Sequence, residues 1–114
     1  MLGVAMKTSP PTGDELVLVL ATLANPHRMR VVGVLAAGGR AYVSQLAREL
    51  GISRALLQVH LKKLEAAGLV SAQLEISPEG KAMKFYEVTP FAVHLTPASI
   101  AAAIPTLTGK GADG

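Results

Sequence analysis

In "SRALLQVHLKK", residues 53–63, Arg54, Gln58 and Lys62 recur every four residues, with Lys63 next to the last of them. On a helix that spacing lines up side chains along one side. Arginine can grip guanine with two parallel hydrogen bonds, and glutamine can grip adenine in the same way. Lysines meet phosphates and add affinity without sequence choice. The outward positions of such a helix are Arg54, Ala55, Gln58, Val59 and Lys62, with Lys63 beside them. Two more lysines, Lys81 and Lys84, follow in a segment of alternating pattern. The chemistry these residues offer is recognition of a polyanion with readable edges.

Other chemistries find little support. The chain has no cysteine, which excludes disulfides and thiolate metal sites. His27, His60 and His94 lack the spacing of a metal-ligand set and read as packing or hydrogen-bonding residues. "AAGGRA" is glycine-rich but lacks the Lys-Ser/Thr of a phosphate loop, and no hydrolase motif is present. Glu49, Glu65, Glu75 and Glu79 read as solvated surface, and Met29, Met83, Phe85 and Phe91 as core filler. No enzyme, metal or cofactor is expected.

A polar helix face is useful only if other elements hold it outward. Just before it, Ser44 caps "QLAREL", in which Leu46, Ala47 and Leu50 share one face. Gly51 suits the left-handed turn that a side chain would resist. Ile52 packs inward, Ser53 caps the next helix, and Leu57, Leu61 and Leu64 form its buried stripe to about Ala67. Two helices joined by a short glycine-containing turn are a helix-turn-helix. The amides at the helix starts near Ser44 and Ser53, with Gln45 alongside, are further phosphate donors. The period then changes to two. "LVSAQLEI", the turn "SPEGK" and "AMKFYEVT" read as a hairpin, or wing, with residues 76–84 at its outer end.

Upstream, "DELVLVLATLA" is apolar nearly all round, which in a small domain suits a subunit interface. "NPHRMRVVGVLAAGG" is a helix capped by Asn25, with Pro26 at its first position and Met29, Val32 and Leu35 at helical spacing. "RAYV" is a short extended piece. "HLTPASIAAAI" is a last helix capped by Thr96. The expected organisation is a flexible arm over residues 1–12, one mostly α winged-helix domain with a small β-hairpin over 13–104, and a disordered tail over 105–114.

The 114 residues carry a net charge of +3, but nine cations face four carboxylates between residues 26 and 84, an excess of +5. A basic centre suits a polyanionic partner. No apolar run reaches the roughly 18 residues needed to span a bilayer, and no secretory signal pattern opens the chain. The expected compartment is the cytoplasm, with no membrane partner.

"LANPHRMRVVGVL", "VSQLARELGISRALLQVHLKKLEAAGLV" and "GKAMKFYEV" together resemble the ArsR-type winged-helix regulators of bacteria and archaea. The resemblance covers roughly Leu23 to Val88. It implies a homodimeric transcriptional regulator, in most such proteins a repressor, that binds palindromic double-stranded DNA. The helix over about 53–67 would lie in the major groove and the wing on the backbone. It also implies that the first and last helices form the dimer interface, here Leu16, Val19, Leu20, Leu23, Ile100 and Ile104. An unidentified small-molecule effector is a third partner class. The chain departs from the family by placing Leu56, Gln58 and Val59 where serine or threonine and then arginine are usual. The alternative reading is therefore a winged helix used only for protein association.

Overall fold

The computed structural model describes residues 10–109. Helix α1, Gly13–Leu23, starts on a reciprocal cap. The Thr12 hydroxyl accepts from the Glu15 amide, and the Glu15 carboxylate accepts from the Thr12 amide. Helix α2, Pro26–Gly38, starts where Asn25 Oδ1 accepts from the amides of His27 and Arg28. Strand β1, Ala41–Tyr42, leads directly into helix α3, Val43–Leu50. Gly51, at φ 69°, ψ 32°, turns the chain, and helix α4, Arg54–Ala66, begins with the Leu56 amide donating to Ser53 Oγ.

Strands β2, Val70–Ile76, and β3, Ala82–Val88, form the antiparallel hairpin. Its turn is tied by Ser77, whose Oγ accepts from the Lys81 amide, and by Gly80 at φ 85°. The "RAYV" piece becomes the third strand of this sheet. The order is β1-β3-β2, with Ala41 opposite Tyr86 and Tyr42 opposite Phe85. A short helix α5, Pro97–Ala103, is capped by Thr96 and runs into a 3-10 turn, Ile104–Thr106. These elements make a winged helix-turn-helix domain. No helix among the described residues is long and apolar enough to cross a membrane.

Val31 and Leu35 of α2, Leu46 of α3, and Leu57, Leu61 and Leu64 of α4 are fully buried together. Val19, Leu69, Val70 and Tyr86 close the core around them. Burying each such leucine contributes about 1.5–3 kcal/mol, which holds α4 rigidly by one side.

Four expectations are corrected. Leu16 and Val19 do not face outward: they are buried within the protomer. Met29 is not core filler but exposed, because Val31 and Leu35 supply the inner face of α2. Ser44 does not cap α3: the helix starts two residues earlier than expected, with Tyr42 at the cap position, and Gln45 Oε1 accepts from the Tyr42 amide. Residues 105–109 are not disordered, since Thr106 and Thr108 both bond to α1. Residues 1–9 of the expected arm and 110–114 of the expected tail lie outside the described residues.

Candidate nucleic-acid interface

The buried side of α4 carries Leu57, His60, Leu61 and Leu64. At about 100° per residue, the side directly opposite carries Ala55, Val59, Lys62 and Ala66. All four are exposed. Arg54 and Gln58 flank this face on one side, Lys63 and Leu56 on the other, and these too are exposed.

The wing runs beside the first of these flanks. Gln58, Val59, Lys62 and Glu65 of α4 and Lys84 and Tyr86 of β3 line one groove of about 200 Å³. The register explains the meeting. Lys84 lies opposite Leu74, Tyr86 opposite Ala72 and Ala82 opposite Ile76, so these residues share the wing face nearest α4. Burial fades along that face from Val70 outward, and Leu74 and Ile76 are 67% and 66% exposed. Lys84 Nζ sits 5.5 Å from the centre of the Tyr86 ring, within reach of a cation–π contact.

The other face of the wing is built for rigidity. Arg40 grips Glu75 through both ends of its guanidinium, at 2.8 and 3.1 Å. Its guanidinium carbon also lies 3.9 Å over the Phe85 ring, and Phe85 stacks on Tyr42 at 4.2 Å. Both partners of the ion pair are well exposed, so its contribution to stability is small. Its use is to tie the base of β1 to the outer half of β2.

Under α4, His60 packs on His27 of α2, ring centres 5.2 Å apart. His60 is nearly buried, and neither ring nitrogen has a hydrogen-bonding partner among the described residues. Burial first, then the positive charges of Arg28, His27 and Lys63, push its pKa below the ordinary value of 6.5. At neutral pH His60 is therefore an uncharged packing residue, in keeping with its sequence reading. Among the described residues no three histidines, cysteines or carboxylates come together as a metal site.

The structure thus brings Gln58, Val59, Lys62 and Lys84 together and leaves Ser53, Arg54 and Ala55 exposed at the start of α4. Lys81 is exposed at the wing turn. Ser44 is exposed on α3. Gln45 lies apart from the α4 groove, in a depression between α2 and α3, with its carboxamide oxygen engaged in capping. Sequence reasoning missed the outer face of α1. Val17 and Leu18 are 54% and 46% exposed, and with Ala21 they line a depression closed by Leu107. The sequence carried no signal that singled them out, because α1 is apolar on nearly every side.

A family model described as a helix-turn-helix domain matches residues 23–71. No curated protein matches the chain by sequence. Among solved structures, HlyU from Vibrio cholerae N16961 is similar with a TM-score of 0.58 at 23% identity, covering 81% of this chain and 87% of that one. The homodimeric winged helix-turn-helix DNA-binding domain Mb0332 from Mycobacterium bovis, described as a possible ArsR-family transcriptional regulator, gives a TM-score of 0.58 at 27% identity. That match covers 66% of this chain and 64% of the other. The transcriptional repressor BigR from Xylella fastidiosa gives 0.57 at 24% identity, covering 81% and 82%.

Proposed function

We propose that this chain, whose winged helix-turn-helix domain resembles the ArsR-type transcription regulators, acts as a homodimer on palindromic DNA. Each protomer lays α4 in the major groove, which admits one helix. Arg54, at the helix start, and Gln58 meet base edges. Lys62, Lys63, Lys81 and Lys84 meet phosphates, joined by Ser44, Gln45 and Ser53 at the helix starts. One observation carries this reading: a buried leucine stripe fixes α4, while its opposite side stands exposed beside a lysine-bearing wing.

Dimerisation is assigned to the outer faces of α1 and the C-terminal segment: Val17, Leu18, Leu20, Leu23, Ile100, Ile104 and Leu107. Most are exposed in the protomer, and the Mycobacterium bovis domain is a homodimer. Repression is the action that the ArsR resemblance implies.

The test is a mobility shift with salt titration on DNA selected from a random pool. Arg54→Ala weakens the selected site by about 1–3 kcal/mol and weakens random DNA less. Lys63→Ala weakens both alike and lowers the salt slope by about one unit per protomer. If both variants bind like the unaltered protein, α4 is not the reader. A second reading, protein association through α4, draws on Leu56 and Val59, which are 40% and 51% exposed. It predicts no sequence enrichment from the pool.

A further inference from the structure

The apolar centre of the α4 face has a consequence for what it reads. Resting on the assignment of α4 to the major groove, we propose that Val59 reads the 5-methyl group of a thymine in each half-site, with Ala55 giving the clearance for that approach. Ala55 and Val59 sit one turn apart on the line directly opposite the buried leucines. They therefore occupy the middle of the exposed face, not its margin. Arg54 and Gln58 lie to one side and Lys63 to the other.

Charge complementarity identifies DNA as the occupant. Lys62 and Lys84 line the same groove as Val59, and Glu65 is the one acidic side chain lining it. Arg54 and Lys63 add cations on either flank of the helix. A phosphate backbone meets those cations, and the helix centre then faces the floor of the major groove.

That floor is polar except at thymine. Guanine offers acceptors, cytosine an amino donor, and adenine one of each, whereas thymine adds a methyl group. A valine pressed against any of the first three removes water from a donor or acceptor and returns no hydrogen bond, which is costly. Against thymine it buries apolar surface on both sides.

Replacing thymine by uracil removes only the methyl, so it isolates the contact. Sites are selected from a random duplex pool with the full chain, and each thymine is replaced in turn by deoxyuridine. Affinity is measured by fluorescence anisotropy at one fixed salt concentration. The expected result is one position per half-site at which uracil weakens binding about fourfold, the value of one buried methyl-sized group. Val59→Ala, at an exposed position that leaves the core untouched, binds thymine and uracil versions equally at that position. The inference is overturned if no thymine in the selected site responds, or if Val59→Ala keeps the response. It is also overturned if Val59→Ala alters self-association while DNA binding ignores uracil, which marks the patch as a protein contact. Failure to select any sequence at all overturns the underlying DNA-binding assignment as well.

Discussion

The uncharged state of His60 links side-chain chemistry to stability. Its ring lies between α2 and α4 with Arg28, His27 and Lys63 nearby, so the folded protein resists the proton that the unfolded chain accepts. A group with a depressed folded pKa binds more protons when unfolded, and stability then rises with pH across its titration range. The protein is expected to lose stability as pH falls below 6.5, the ordinary value of the group. Urea midpoints at pH 7.5, 6.5 and 5.5 measure this, and His60→Phe flattens the curve over that range. An equally steep curve in the variant assigns the effect to other groups. Asp14 does not interfere there, since the Thr108 hydroxyl and amide donate to its carboxylate and hold its pKa below 3.8. Its contribution is present above 3.8 and is lost only as pH falls through the lower folded value.

Two elements far apart in sequence come close where α1 meets the C-terminal segment. The Gly13 amide donates to Thr106 Oγ1 at 2.7 Å, and the carboxylate of the next residue, Asp14, accepts from the Thr108 amide and hydroxyl. A methyl group added at Gly13 would stand 2.7 Å from the Ala103 carbonyl oxygen. Glycine is needed here for close approach and not for an unusual backbone angle. Gly13→Ala is expected to destabilise the fold by about 1–3 kcal/mol, the usual cost of overpacking. Chemical denaturation reads the loss directly. If the midpoint is unchanged, residues 104–109 do not clasp α1 in solution. The wing shows a different balance: its inner half is anchored by Val70 and Tyr86, while its outer half relies on the Arg40–Glu75 pair and exposed Leu74 and Ile76. Support for the wing thus declines toward its turn, where Lys81 stands.

For the molecule as a unit, apolar surface lies both among the cations, on α4 and the wing, and at the two ends of the described chain. The cations concentrate between residues 26 and 84, and the exposed apolar groups of α1, α5 and the 3-10 turn lie outside that range. A homodimer joined at those ends presents two basic α4 faces to one duplex, with half-sites about one helical turn or a multiple apart. Leu18→Glu places a charge in the proposed interface at a position that the protomer leaves 46% exposed. It is expected to yield a folded monomer by sedimentation equilibrium, with weakened DNA binding from the loss of the second half-site. A dimer that survives the change moves the interface elsewhere. Leu16→Ala acts differently, because Leu16 is buried within the protomer, and it lowers stability by about 2–5 kcal/mol.

Local signals sufficed wherever the physics was local. Asn25, Ser53 and Thr96 cap their helices because a short polar side chain can reach an amide two or three residues ahead. Gly51 turns left-handed because no side chain opposes it. The leucine spacing of α4 also announced which side would be buried and which left free. What needed the folded chain was every choice between partners far apart in sequence. A two-residue segment, Ala41–Tyr42, has no pattern of its own, and becomes a strand only because β3 offers a free edge. An all-apolar helix such as α1 does not declare which of its sides the core will take. That is settled by where α2, α5 and the returning C-terminal segment pack, and the answer placed Leu16 and Val19 inside and Val17 and Leu18 outside. The groove joining Gln58, Val59 and Lys62 to Lys84 exists for the same reason: strand register, a long-range pairing, decides which lysine of the wing comes to the helix.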